Sequence, residues 1–124
     1  MVLCLNGHSI AANGDFVVIE IDKGQFTLCD CNSSESMHYF TTSKEGLFTR
    51  WVPCEENTEN RISVTGGVIT HSVGRSDLGV KVDNNATFTM YGGTICGNKL
   101  QGSYNGAGVY VHNSTFNMYG GAIR

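Results

Sequence analysis

The stretch Phe88-Thr89-Met90-Tyr91-Gly92-Gly93-Thr94-Ile95 decides the predicted fold, because its pattern recurs along the chain. It returns as Phe116-Asn117-Met118-Tyr119-Gly120-Gly121-Ala122-Ile123, and looser copies begin at Leu3, Phe26 and Ile62. Copies of a short repeat bury their apolar faces by stacking on their neighbours. Five copies in 124 residues therefore predict an all-β repeat protein.

Apolar residues alternate with small or polar residues inside each copy, as in a strand with one buried face. The first predicted column of buried residues is Leu3, Phe26, Ile62, Phe88 and Phe116. The second is Leu5, Leu28, Val64, Met90 and Met118, and a third column follows at Ile10, Ile69, Ile95 and Ile123. The glycine pair before the third column predicts a corner with positive φ or a close backbone approach. The second copy departs from the pattern, with Asp30 and Cys31 at the glycine positions.

A further strand precedes three of the copies, at Ile19–Asp22, Val80–Asp83 and Val109–His112. Most copies lie about 23 to 28 residues apart, within the range of stacked repeats. The combined pattern favours a right-handed parallel β-helix of about five coils, as a single domain over residues 1–124. A β-propeller needs more residues per repeat, and a leucine-rich repeat needs an asparagine ladder, so both alternatives are less well matched.

Residues 33–60 lengthen the step between the second and third copies, and are predicted to form an inserted aromatic hairpin. Its turn is expected near Lys44-Glu45-Gly46. One interpretation is a flap whose aromatic residues pack on the repeat and fill the gap left by the irregular second copy. The other is a recognition loop, since insertions in repeat proteins often form the binding face.

The repeated phrases resemble a known family. Five segments carry the likeness: Leu3-Cys4-Leu5-Asn6-Gly7-His8-Ser9-Ile10, Thr27-Leu28-Cys29-Asp30-Cys31, Gly46-Leu47-Phe48, Val64-Thr65-Gly66-Gly67-Val68-Ile69 and the copy at Phe88. Together they are similar to adhesin-like, right-handed parallel β-helix repeat surface proteins of host-associated anaerobic bacteria. The resemblance implies an extracellular module on a bacterial cell surface, usually one part of a longer polypeptide. It implies no catalytic residues.

The ends of the chain bear on partners. The sequence shows no signal peptide and no sorting signal, which fits either a fragment of a longer repeat protein or a very short gene product. Neither end carries a polar capping repeat, and uncapped strand edges can pair with another chain. We therefore expect either end-to-end self-association or pairing with a partner segment outside this sequence.

Charge and hydropathy exclude two classes of partner. The formal net charge is −3, whereas a nucleic-acid-binding surface needs a basic stripe. No apolar run approaches about 18 residues, so membrane insertion is not expected.

The five cysteines allow three interpretations. One is a zinc site formed by Cys4, His8, Cys29 and Cys31, with Cys54 as a further thiolate donor, although the spacing matches no standard zinc motif. The alternatives are a disulfide, for which Cys31 with Cys54 is the first candidate, or free thiols. An odd number of cysteines leaves at least one unpaired, and Cys96 is expected to point into a loop without a special role.

Aromatic side chains predict a binding face. Tyr91 and Tyr119 occupy matching outward positions and are expected to stack about 4.8 Å apart. Such a ladder suits sugar rings, with Tyr110 or His112 at its border and Trp51 on the inserted hairpin. The alternative is that the stacked tyrosines simply stabilise neighbouring repeats.

Function is predicted to be non-catalytic: a display stalk that contacts a host or microbial glycan or protein. The alternative is a truncated carbohydrate-active enzyme, resembling a polysaccharide lyase or hydrolase. Such enzymes need clustered carboxylates. The nearest cluster is Arg75, Asp77, Lys81 and Asp83, for which solvated surface charge is the favoured interpretation. His8, His71 and His112 are expected to be hydrogen-bonded surface histidines.

Overall fold

The structure is a computed structural model that describes residues 1–45, 48–100 and 108–124. Within these ranges the chain forms fourteen strands and no helix, which confirms the all-β class. The strands are β1 (Val2–Cys4), β2 (Ser9–Ala12), β3 (Ile19–Asp22), β4 (Gln25–Cys29), β5 (Met37–Glu45), β6 (Phe48–Cys54), β7 (Ile62–Thr65), β8 (Val68–His71), β9 (Val80–Asp83), β10 (Thr87–Met90), β11 (Thr94–Ile95), β12 (Val109–Val111), β13 (Thr115–Met118) and β14 (Ala122–Ile123).

The strands form four small sheets. The first sheet has the order β1-β4-β10-β13, and the second has the order β14-β11-β8-β2. The third sheet has the order β12-β9-β3, and these three sheets are parallel. The fourth sheet, β6-β5-β7, is antiparallel. Each parallel sheet thus collects equivalent strands from different copies of the repeat.

Much of the predicted register is confirmed. Phe26, Phe88 and Phe116 are aligned in the first sheet, and the isoleucine column is aligned through the second sheet. The strands that precede three of the copies pair as β3, β9 and β12. The corners also behave as predicted, since Gly93 and Gly121 have φ of 90° and 85°. A side chain at either position would be strained.

The prediction of a right-handed parallel β-helix of about five coils is wrong. The strands form four separate small sheets with parallel and antiparallel pairing, and no closed solenoid is seen across residues 1–45, 48–100 and 108–124. The third copy shows why. Its strand β7 pairs antiparallel with β5 of the inserted segment, instead of joining the first sheet. Alternating apolar residues show which face of a strand is buried, but they do not fix the direction of its neighbour.

The predicted alignment of the first copy is also wrong, by two residues. In the structure Leu3 lies opposite Leu28, whereas the expected partner was Phe26. A shift of two residues keeps the same side chains on the buried face, so the hydrophobic pattern cannot distinguish the two registers. The consequence is that Cys4 lies directly opposite Cys29.

The inserted segment contains the β5–β6 hairpin, which packs on the repeat. Phe40 is buried with Val64, Val68 and Cys96, and Trp51 packs against this cluster. This packing fits the flap interpretation. The predicted turn extends to Gly46, which lies with Leu47 outside the described residues. A larger core cluster, centred on Leu28, Phe88 and Met90, fills the space between the parallel sheets.

Candidate functional site

Two exposed tyrosines stack beside a polar hollow. Tyr91 and Tyr119 directly follow β10 and β13, which pair in register, so their rings are brought one above the other. The ring centroids are 5.3 Å apart and the ring planes differ by 20°. Tyr91 is 57% exposed and Tyr119 is 70% exposed. The predicted stack is therefore present, and most of its surface faces solvent.

The hollow beside Tyr91 has a volume of about 270 Å³. Hydroxyl and carboxyl groups line it, together with the glycines of two corners; the polar residues are Asp30, Ser33, Thr65 and Thr94. An aromatic ring next to several hydroxyl groups can contact the apolar face of a ligand while hydrogen bonds fix its orientation. This arrangement is suited to a polyhydroxylated ring.

Asp30 holds one wall of the hollow in place. Its Oδ1 accepts hydrogen bonds from the backbone N–H groups of Gly7 at 2.8 Å and Asn32 at 3.3 Å. Its Oδ2 accepts from the N–H of Gly67 at 2.6 Å. Partial burial raises the pKa of this carboxyl. The three N–H donors and the nearby His38 together lower the pKa by more than burial raises it, so it lies below its usual value. Asp30 therefore joins the corners of the first and third copies, a role that sequence analysis missed.

The other predicted binding residues lie elsewhere. Tyr110 and His112 stack on each other with centroids 6.4 Å apart, at the third sheet. Trp51 lies in the fourth sheet, where the guanidinium carbon of Arg124 is 5.8 Å from the centre of its ring. The five predicted residues thus form a Tyr91–Tyr119 pair, a Tyr110–His112 pair and a separate Trp51.

Three of the predicted metal ligands come together. Cys4 of β1 faces Cys29 of β4, and Cys31 follows two residues later. The three sulfur atoms lie within 4.8 Å of one another, the only group of three or more potential ligand side chains found in the described part of the chain. The Cys29 Sγ donates to the Leu3 carbonyl at 3.6 Å, and the Cys31 N–H donates to the Cys4 Sγ at 3.0 Å.

The remaining sulfur predictions need correction. Cys31 is bonded to Cys4, so the suggested Cys31–Cys54 disulfide is wrong. Cys54 lies in β6 as a free thiol and, like His8, is outside the group of three sulfurs. The Cys96 side chain is fully buried in the cluster around Phe40 instead of pointing into a loop. Burial raises the pKa of its thiol to about 11, although the charge of Arg124 opposes this.

The histidine prediction also fails at one position. His71 is fully buried, because β8 is covered on both faces. Its Nδ1 is 2.8 Å from Asn98 Oδ1, and its Nε2 is 2.7 Å from the Phe16 carbonyl oxygen. The sequence reads Val68-Ile69-Thr70-His71, and the absence of alternation in the adjacent apolar pair Val68-Ile69 was the available sign that both faces are buried.

The predicted charged cluster is divided among local contacts. Arg75 lies 3.8 Å from Asp15, and Lys81 lies 3.6 Å from Glu20. Asp77 accepts a hydrogen bond from the N–H of Leu78, and Asp83 is paired with His112 at 3.0 Å. These contacts match the interpretation of the cluster as solvated surface charge.

Within the described residues, no helix is long and apolar enough to cross a membrane.

Comparison with known proteins identified no relative of this chain. No protein-family model matches this chain, and no curated protein or solved structure matches it.

Proposed function

We propose that this protein is a non-catalytic module of a bacterial cell surface that contacts carbohydrate through Tyr91 and Tyr119. The observation that carries the proposal is the exposed tyrosine stack beside a hollow lined with hydroxyl and carboxyl groups. The bacterial and extracellular setting is supported by the resemblance of the repeated phrases to adhesin-like surface proteins.

The expected mode of contact follows from the chemistry of sugars. A pyranose ring presents C–H groups on its faces and hydroxyl groups at its edge. The C–H face would cover an exposed tyrosine ring, and the edge would hydrogen-bond to Ser33 or Thr65 in the hollow. Covering about 50 Å² of one ring contributes about 1.3 kcal/mol, or about tenfold in affinity.

The experiment is retention of the protein on a panel of immobilised polysaccharides, with released sugar measured in parallel. We expect retention on at least one polysaccharide and a loss of about tenfold for Tyr119→Ala, with a larger loss for the Tyr91→Ala/Tyr119→Ala double variant. Tyr110→Ala is the matched control, because this tyrosine is also exposed and stacked but belongs to the third sheet.

Three outcomes would count against the proposal. Retention that is unchanged in the double variant would place the contact elsewhere. Retention that falls equally in Tyr110→Ala would indicate a general loss of surface aromatic contact. Release of sugar would favour the alternative of a truncated carbohydrate-active enzyme.

Self-association through strand edges is a further part of this proposal. β13 and β14 are outer strands of the first and second sheets, and their residues Met118 and Ile123 are 44% and 41% exposed. An open strand edge with apolar side chains favours pairing with a second copy. Sedimentation velocity should show association that increases with concentration and weakens in Met118→Lys. A monomer at all concentrations would contradict it.

A further inference from the structure

We propose that Cys4, Cys29 and Cys31, once reduced, form a three-thiolate site for a thiophilic divalent cation such as zinc. None of the three cysteines lines the hollow beside Tyr91, so this proposal and the carbohydrate contact can fail independently. The cation would have three sulfur ligands and one open position, which a water molecule can occupy, as in zinc sites with three protein ligands.

The backbone brings the ligands together. The parallel pairing of β1 with β4 sets Cys4 opposite Cys29. Cys31 lies in the turn that follows β4, where its backbone N–H donates to the Cys4 sulfur. Two sulfurs that share a zinc ion at about 2.3 Å can be no more than about 4.6 Å apart. The sulfurs of the site already lie within 4.8 Å of one another, so side-chain rotation is sufficient to enclose an ion.

Hydrogen bonds and solvent access around the three cysteines favour metal binding by their reduced sulfurs. The Cys31 N–H points at the Cys4 sulfur, and such hydrogen bonds to a ligand atom orient it and stabilise its negative charge. Asp30, between Cys29 and Cys31, is held by three backbone N–H donors, which fixes the chain that carries both sulfurs. Cys31 is exposed while Cys4 and Cys29 are half-buried, so an ion and its water can enter from solvent.

The oxidation state decides whether the site is available. In the structure Cys4 and Cys31 form a disulfide and Cys29 is a free thiol. A dithiol reductant transfers two electrons and two protons, the Cys4–Cys31 bond breaks, two thiols form, and the reductant becomes its own disulfide. Binding of the cation then replaces three S–H protons by three metal–sulfur bonds, and the protons pass to solvent. The oxidised protein has one free thiol at this position and lacks the site.

The test is a titration of the full chain with Cd²⁺ and Co²⁺, with the metals alone as probes. The protein is reduced with dithiothreitol, desalted without air and compared with the oxidised form. We expect ultraviolet thiolate-to-metal absorption that saturates at one equivalent in the reduced protein and is absent from the oxidised protein. Cys29→Ser should weaken Cd²⁺ binding at least 100-fold, and Cys54→Ser, the matched control, should leave it unchanged.

A second measurement keeps the proposal testable if a variant folds poorly. Cd²⁺ should protect Cys4, Cys29 and Cys31 of the unaltered reduced protein from alkylation, as located by mass spectrometry, while Cys54 stays reactive. Absence of the absorption band from the reduced protein would overturn the proposal. A band that survives Cys29→Ser, or protection that extends equally to Cys54, would also overturn it.

Discussion

Replacement of Asp30 by alanine should destabilise the whole protein, because one carboxylate holds two corners of the repeat together. The substitution removes the acceptor for the N–H groups of Gly7 and Gly67, at 2.8 and 2.6 Å, and for the more distant Asn32. A hydrogen bond to a charged group contributes about 1.5 to 3 kcal/mol. Water can replace part of each bond at this half-buried position, so the two short bonds together are worth about 3 kcal/mol.

The loss can be measured by chemical and thermal unfolding. For a chain of this size, about 3 kcal/mol corresponds to a fall in Tm of about 10 °C. Asp30→Asn should lie between the wild type and Asp30→Ala, because its amide retains one acceptor oxygen but directs an NH₂ donor at the other N–H groups. Glu59→Gln, which changes an exposed carboxylate, should stay within about 0.5 kcal/mol of the wild type. If Asp30→Ala also stays within that range, the role assigned to Asp30 is wrong.

The remaining predictions concern the buried and paired groups. His71→Leu should cost about 3 kcal/mol, because the Asn98 side chain and a backbone carbonyl lose their partner inside the protein; urea unfolding with no loss of stability would contradict this. Cys96 should resist alkylation at pH 8 in the folded protein and react after unfolding, because burial raises the pKa of its thiol to about 11; equal reaction rates in both states would refute it. The hydrogen bond from His112 is the largest cause that lowers the pKa of Asp83, so His112→Ala should raise that pKa toward 3.8, as followed by NMR of the carboxyl carbon. Because the pKa of Asp83 is lower in the folded protein, its contribution to stability is present above pH 3.8 and is lost as the pH falls through the folded value. An Asp83 titration curve that is the same in the variant would contradict the assignment.

The repetition of similar residues made a large part of the strand pairing predictable. The columns through Phe88 and Ile95 were recognisable because several copies carry the same residue types at the same spacing. Where the copies are alike, a single alignment of the strands buries the apolar side chains of all these copies. The stack of Tyr91 on Tyr119 followed from the same argument.

The failures occurred where the copies differ or where the pattern is ambiguous. β7 alternates apolar and polar residues like the other strands, but the nearby hairpin offers β5 as an antiparallel partner. The first copy contains Leu3 and Leu5, and either can stand opposite Leu28 without exposing apolar surface. The site at Cys4 and Cys29 depends on this choice, so its geometry could not be deduced from alternation alone.

Asp30 illustrates a different limit. In the sequence Asp30 departs from the repeat, because it stands where other copies have glycine. In the structure its carboxylate accepts three backbone hydrogen bonds at this corner. Such a role depends on groups that are 23 and 37 residues away along the chain. Sequence spacing does not reveal them.

The register between the fourth and fifth copies has a consequence for how the chain can change by recombination. Phe88 matches Phe116, Met90 matches Met118 and Ile95 matches Ile123. A crossover between the gene segments for these two copies would delete or duplicate one unit in frame. The strand at each new junction would keep the same pattern of apolar residues and could pair with its neighbour. The third copy cannot be exchanged in this way, because its strand β7 pairs with β5 of the hairpin sheet. Gain and loss of units is therefore expected toward residues 88–123, while the segment from Cys29 to Thr65 must be inherited as one block.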